Sequence, residues 1–158
     1  MTITTRLITS WRPGRIAGRV AVAVLLMAHA TSGSTQGRPP LNEAANAVDL
    51  ERVGHLLMRG ADVNATEGDG STALHWASYR DALPIVDRLL RAGAKVNVAN
   101  DLGATPLWAA CANGSASIVR RLLVAGADPN LTLLSGETAL MVAARGGAAD
   151  VVALLLAS

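Results

Sequence analysis

Cys111 is the one cysteine of the chain. It lies in ANDLGATPLWAACANG, residues 99–114, where a turn signal runs into a short apolar stretch that ends on Gly114. A thiol at such a turn-to-helix junction becomes a nucleophile when a neighbouring base or a helix N-terminus lowers its pKa. His55 and His75 are the histidines beyond residue 30. Neither has a second histidine or cysteine at helical spacing, so the chain holds no zinc pattern. There is no G-x-S-x-G elbow and no phosphate-loop consensus. RGGAAD, Arg145–Asp150, is glycine-rich, and its meaning, like that of Cys111, depends on the elements around it.

Those elements recur. Gly70, Gly103 and Gly136 follow one another at 33-residue steps, and so do Gly60, Gly93 and Gly126, each followed by Ala. Asn64, Asn97 and Asn130 keep the same step, as do Thr72, Thr105 and Thr138. A fixed period of this length marks stacked repeats, each unit too small to bury its apolar face alone. One unit reads clearly. Thr105 caps a first helix, with Pro106 in the turn where a missing N–H costs nothing. Leu107 and Ala109–Ala110 give it a thin packing face, and Gly114 stops it. Ile118, Val119, Leu122 and Leu123 form the apolar stripe of a second helix. Gly126 ends that helix, and Asp128-Pro129-Asn130 turns the chain.

Within this register Cys111 falls in the slot held by Ser78 in the preceding unit and Ala144 in the following one, near Ala44–Ala45 in the first. A position that takes Ala, Ser and Cys asks for a small packed group, so Cys111 is expected to be a buried spacer. RGGAAD aligns with CANGSAS at the turn between two helices. No catalytic, cofactor-binding or metal-binding residue is therefore assigned, no cofactor is implied, and the chain is not expected to be an enzyme. Asp81 stands in an inter-helix turn where glycine is usual, which suggests a locally different turn.

The T-P/A-L-H start, the small A-A pair, the V-x-x-LL run and the G-A-D-x-N turn resemble the ankyrin repeat family over residues 39–158. The resemblance implies an α-class ankyrin-repeat solenoid of helix-turn-helix pairs joined by β-hairpin turns. About four repeats are implied, at 39–70, 71–103, 104–136 and 137–158, the last truncated. It implies that His75 hydrogen-bonds between neighbouring repeats; the counterparts of His75 are Asn42, Trp108 and Met141. It also implies a protein partner held by hairpin tips and the exposed ends of the first helices, which together form a concave face. By position these are Thr66, Asp69, Ser71, Tyr79 and Arg80 in the second repeat, and Asp101, Leu102 and Asn113, with Ala99 and Ala112, in the third. In the fourth they are Leu134, Glu137 and Arg145, with Thr132 and Ser135. Leu133 and Leu134 read as a pair of exposed leucines at a tip, and Trp76 and Trp108 as packing residues.

Composition fits an interior of thin helices: apolar residues make up 51%, yet aromatics only 3% with no Phe, so the core must be Ala, Leu and Val. The formal charge of +2 does not describe the repeats. Arg6, Arg12, Arg15 and Arg19 precede residue 20, and setting them aside leaves ten of the 14 basic side chains against 12 acidic ones. No basic stripe remains for phosphates, so nucleic acid is not an expected partner.

VAVAVLLMAHA, Val20–Ala30, follows those arginines and closes on Ala28-His29-Ala30, the pattern of a signal peptide over residues 1–30. At about 1.5 Å per residue the run reaches roughly 16 Å, about half of a bilayer's hydrocarbon core, so no stable membrane span is expected after cleavage. Residues 31–38 read as a flexible linker. The expectation is an exported protein, periplasmic or secreted, that binds another protein; the alternative is a structural or assembly module of a longer envelope protein. DVVALLLAS ends one residue before the expected Gly-Ala-Asp turn, and no charged residue follows Asp150. That pattern suggests self-association through an uncapped last repeat.

Overall fold

The computed structural model describes residues 37–158, so the expected leader and nearly all of the linker lie outside the described residues. Within them the chain forms eight helices: α1 Pro40–Asn46, α2 Leu50–Met58, α3 Ala73–Tyr79, α4 Leu83–Arg91, α5 Pro106–Asn113, α6 Ala116–Val124, α7 Ala139–Arg145 and α8 Ala149–Leu156. Each odd-numbered helix packs on the even-numbered helix that follows it. The odd helices stack in one layer and the even helices in a second. This is the expected helix-pair solenoid.

Local chemistry sets the helix starts. Thr105 Oγ1 accepts the Trp108 N–H at 3.2 Å, and Thr138 Oγ1 accepts the Met141 N–H at 3.1 Å. Each satisfies a donor that the first turn leaves unpaired. Asp49 does the same for α2, accepting the Arg52 N–H at 2.9 Å. Pro40, Pro84 and Pro106 sit in the first turns of α1, α4 and α5, where no backbone bond is lost.

The connections are the expected hairpin turns, reduced to their tips. Among the described residues they carry an isolated antiparallel bridge, Thr132–Thr138, and no strand. Each tip is a tight turn closed by a glycine N–H: Gly70 to Glu67 O at 3.0 Å, Gly103 to Asn100 O at 2.8 Å, Gly136 to Leu133 O at 2.8 Å. The tips then bond to one another. The Asp101 N–H donates to Asp69 O and the Leu134 N–H to Leu102 O, both at 2.9 Å. Gly103 permits the approach: a Cβ there would lie 2.8 Å from Thr132 O. Within each tip one more backbone bond crosses the turn: Glu67 N–H to Ser71 O at 2.8 Å, Asn100 N–H to Ala104 O at 3.0 Å and Leu133 N–H to Glu137 O at 2.9 Å. The hairpins are thus present but too short to count as strands.

The core is as thin as the composition requires. Ala44, Ala45, Ala77, Ala110 and Ala143 are fully buried between odd helices. The even helices contribute Val53, Ile85, Val86, Leu89, Ile118, Val119, Leu122 and Val151. Burying a leucine or isoleucine side chain is worth about 1.5–3 kcal/mol, so the two-helix layers hold together without aromatic mass.

Cross-repeat hydrogen bonds add register. Asn64 Nδ2 donates to Gly93 O at 3.3 Å while its Oδ1 accepts the Lys95 N–H at 2.8 Å. One period on, Asn97 Nδ2 donates to Gly126 O at 3.0 Å and its Oδ1 accepts the Asp128 N–H at 2.9 Å. The asparagine of the G-A-D-x-N phrase is therefore a two-pronged strap to the next repeat.

Candidate functional site

Cys111 and His75 are sealed into the scaffold, whereas His55 is exposed on α2. Cys111 is buried, and burial pushes its thiol up to about 12, the opposite of an activated nucleophile. Ser78 and Ala45 in the same slot are buried too, whereas Ala144 in the last repeat is exposed. The slot is a contact between one odd helix and the next.

His75 is fully buried. Its Nδ1 accepts the Thr72 N–H at 3.1 Å, so Nε2 carries the proton and donates to Ala104 O, 3.0 Å away in the next repeat. Desolvation holds the imidazole neutral, lowering its pKa to about 4; the bond to Ala104 and the charge of Asp69 oppose that only in part. Asn42 fills the same slot one repeat earlier and donates to Ser71 O at 3.1 Å. No group of three or more His, Cys, Asp or Glu side chains converges among the described residues.

The remaining chemistry is on the surface, along two edges. A first-layer helix of seven or eight residues is about 10–12 Å long at 1.5 Å per residue, and this separates the hairpin tips at its start from the inter-helix turn at its end. On the tip edge Thr66, Asp101 and Leu102 are exposed, and Leu134 is 81% exposed. Asp69 is half-buried, and its carboxylate accepts the Ser71 N–H at 2.9 Å and the Ser71 hydroxyl at 3.0 Å. Ala99, Thr132 and Ser135 are exposed beside them.

Three sequence expectations need correction. Ser71 is fully buried because its side chain turns inward to Asp69, so it offers no contact as placed. Leu133 and Leu134 are not an exposed pair, since Leu133 is 6% exposed and packs into the core. Its N–H bonds to Glu137 O at 2.9 Å across the bridge, which turns its side chain inward while that of Leu134 points out. Ala112 is likewise buried.

On the turn edge, Tyr79 is half-buried, with its ring edge-on to that of Trp76 at 6.3 Å between centroids. Arg80 is exposed, yet it is held: Nε donates to Asn46 Oδ1 at 2.9 Å, and its guanidinium lies 5.7 Å from the centre of the Tyr79 ring. Asn113 is half-buried and donates its amide to Tyr79 O, reaching back one repeat as Arg80 does. Arg145 and Glu137 pair with each other, linking the two edges within the fourth repeat. The expected residues thus fall into a tip set (Thr66, Asp69, Asp101, Leu102, Leu134) and a turn set (Tyr79, Arg80, Asn113).

Sequence reasoning passed over several neighbours. Arg38 pairs with Glu67 at 2.9 Å and lies 4.6 Å from the centre of the Trp76 ring, while Trp76 Nε1 donates to Glu67 Oε1 at 2.6 Å. Asp81 does not change its turn as expected. It takes the left-handed conformation, φ 55°, which Gly114 and Gly147 hold at 69° and 67° in the same slot, and Val48 does so at 58° in the first repeat. A cavity of about 360 Å³ opens between the second and third inter-helix turns, lined by Tyr79, Arg80, Asp81, Asn113 and Ser115. The signal for Asp81 was visible, as a charged residue in a glycine slot; the cavity beside it needs the stacking of two repeats and has no sequence signature.

The helix pairs bury Cys111 and His75 and order polar side chains along their outer edges, the build of a repeat scaffold. The family model described as ankyrin repeats (3 copies) matches residues 41–132 and 74–158, and the chain belongs to the ankyrin repeat family. Over 50 residues it is 50% identical to the B-cell lymphoma 3 protein homolog of Mus musculus, a stretch that covers 32% of this chain and 11% of the mouse protein. The matched region is thus a small part of that relative. Ankyrin repeats are protein–protein interaction modules. No helix among the described residues is long and apolar enough to cross a membrane.

Proposed function

We propose that this chain is an exported interaction module that holds a protein partner along the face between its hairpin tips and its inter-helix turns, without catalysis. The observation that carries this reading is the fixing of exposed polar side chains before any partner arrives. Arg80 is held by Asn46 and stacked on Tyr79, and Asn113 is tied to Tyr79 O. Ordering such side chains on contact costs about 0.5–1.5 kcal/mol each, and these are already placed. The double change Tyr79→Ala, Arg80→Ala is expected to weaken partner capture under conditions where the variant is fully folded, with a modest drop in melting temperature because half-buried Tyr79 packs edge-on to Trp76. Undiminished capture by the folded variant would place the face elsewhere.

Export rests on the arginine-led apolar run that closes at Ala30. Intact-mass measurement on the exported protein is expected to show a start at Thr31; a detergent-dependent species that keeps Met1 would refute cleavage. A second reading, an assembly module within an envelope structure, is favoured by one observation. Met141 on α7 and Leu156 on α8 are 57% and 71% exposed, and Leu134 at the preceding tip is 81% exposed. Exposed apolar groups of this size promote contacts between copies. Sedimentation is expected to show a concentration-dependent dimer that Met141→Lys weakens, and a monomer at every concentration would remove that reading.

A further inference from the structure

We infer that Glu67 and Trp76 form a binding site for an arginine side chain of the partner protein, and that Arg38 of this chain fills the site until the partner arrives. The inference rests on the interaction reading above; it adds the chemistry of one contact and the group that competes for it.

A guanidinium is already seated there. Arg38 lies 4.6 Å from the centre of the Trp76 ring and pairs through Nε with Glu67 Oε1 at 2.9 Å. Trp76 Nε1 donates to the same oxygen at 2.6 Å, which ties the ring and the carboxylate together. A flat guanidinium stacks on an aromatic face while its in-plane N–H groups meet a carboxylate, and an ammonium cannot do both in this way. The receiving side is fixed. The Glu67 N–H donates to Ser71 O at 2.8 Å and Glu67 O accepts the Gly70 N–H at 3.0 Å, so both of its backbone groups are used in the tip turn. Trp76 is 5% exposed within α3 and stands edge-on to Tyr79.

The occupant is loosely held. Gly37 and Arg38 are exposed and belong to no helix, and among the described residues no backbone hydrogen bond holds either of them. The Arg38 side chain keeps 33% of its surface in solvent, and an ion pair this open adds little to stability. Its closest approach is to the oxygen that Trp76 already uses. An arginine arriving from a partner is free to set two N–H groups against both carboxylate oxygens, the stronger geometry.

The stack itself does not require this pair. One period on, the Glu67 and Trp76 positions hold Asn100 and Ala109, and two periods on they hold Leu133 and Val142. Arg38 stands one period before Ser71 and three before Glu137, in the tip register from which partner contacts were expected. The chain thus places its own arginine where a partner's side chain would compete with it.

The test titrates the isotope-labelled full chain, wild type and Arg38→Ala, with the N-acetyl N-methylamides of arginine, lysine and citrulline, the last an uncharged likeness of arginine. The Trp76 indole N–H resonance is followed. Arg38 lies outside every helix, so Arg38→Ala leaves the stack folded. In that variant arginine is expected to shift the resonance saturably, at concentrations about tenfold or more below those lysine needs, and citrulline to leave it unmoved. The wild type should need about tenfold more arginine, because a tethered competitor acts at high effective concentration. Glu67→Gln, which keeps an acceptor for the Trp76 N–H, should abolish the response of Arg38→Ala. Equal responses of wild type and Arg38→Ala, equal responses to lysine and arginine, a response to citrulline, or none to arginine would overturn the proposal. If the arginine probe fails while the folded Tyr79→Ala, Arg80→Ala variant still loses partner capture, the arginine site falls and the interaction reading stands.

Discussion

The junction between the second and third repeats and the junction between the third and fourth use the same slots and fill them differently. At the first, His75 donates across the boundary to Ala104 O, and the Asn97 strap grips Gly126 and Asp128. At the second, Trp108 occupies the imidazole slot with its Nε1 buried and unpaired, and Asn130, the next strap residue, is exposed. What remains there is the tip bond from Leu134 to Leu102 O and the packing of α7 and α8 on α5 and α6. A buried donor without a partner costs about 1–3 kcal/mol. Periodicity therefore fixes which positions meet, while the side chain in each slot sets how strongly two repeats cohere. In a stack held by nearest-neighbour terms, the fourth repeat should be the first to open.

The largest expected effects come from one leucine slot read in two places. Leu122 and Leu155 stand one period apart, the first fully buried and the second 7% exposed. Leu122→Ala removes a side chain enclosed by repeats on both sides and is expected to cost about 2–5 kcal/mol. Leu155→Ala removes a side chain that is less completely enclosed and should cost clearly less. Denaturant midpoints and slopes measure both. Equal losses would mean that the last repeat is as firmly held as the third.

The imidazole gives the next effect, and its sign follows from its pKa. His75 is held near 4 in the folded chain, against 6.5 unfolded. Because the folded-state value is lowered, the unfolded chain takes up the proton first. The stability tied to neutral His75 is present above pH 6.5 and is lost as pH falls toward 4. The slope is at most about 1.4 kcal/mol per pH unit. Unfolding midpoints should drop across this window, and His75→Asn, which places the Asn42 solution in this slot, should flatten the dependence. An identical slope in His75→Asn would show that carboxylates elsewhere set it. The junction built on Trp108 has no such titration, so acid should narrow the gap between the two junctions.

Much of this architecture was legible beforehand, for a physical reason. Gly60, Gly93 and Gly126 mark helix ends because the left-handed cap excludes most side chains, and Thr105 and Thr138 mark helix starts because their hydroxyls serve orphan donors. Such local rules repeat identically every period and so read well. The failures share the opposite property. Ser71 is enclosed from one period on either side, with Asn42 donating to its carbonyl and Asn100 to its hydroxyl. Leu133 packs into the core beside the bond from Leu134 to Leu102 O of the preceding tip. The cavity beside Asp81 likewise needs two turns stacked at one spacing. Contacts between repeats depend on the pairing of non-identical units, which no single phrase encodes.

A smaller effect separates the two ends of the stack along the inter-helix turns. Val48 and Asp81 occupy left-handed positions that Gly114 and Gly147 fill in the last two repeats. A β-branched side chain is the least suited to that region. Val48→Gly is therefore expected to stabilise by about 1 kcal/mol, net of the extra freedom glycine gives the unfolded chain. Asp81→Gly should gain less, since aspartate tolerates the conformation better than valine. Thermal melts at fixed pH read both, and a destabilised Val48→Gly would show that the Val48 side chain packs more usefully than its 49% exposure implies.

The smallest effect is expected at Cys111. The thiol lies in the contact between α5 and its neighbours, where the equivalent positions hold Ser78 and Ala45, both buried. Removing one sulfur leaves a void far smaller than a leucine truncation does, so Cys111→Ala should cost about 1 kcal/mol or less and leave partner binding unchanged. Reactivity is the sharper measurement. Burial holds the thiol protonated up to about 12, and only the thiolate attacks a disulfide reagent. Labelling of the native protein must then wait for the third repeat to open, and its rate should track denaturant as unfolding does. Leu155→Ala, which loosens only the fourth repeat, should accelerate labelling much less than Leu122→Ala. Fast labelling in native buffer, or equal acceleration by the two changes, would mean that the third and fourth repeats open together and that the contrast between their junctions is not energetic.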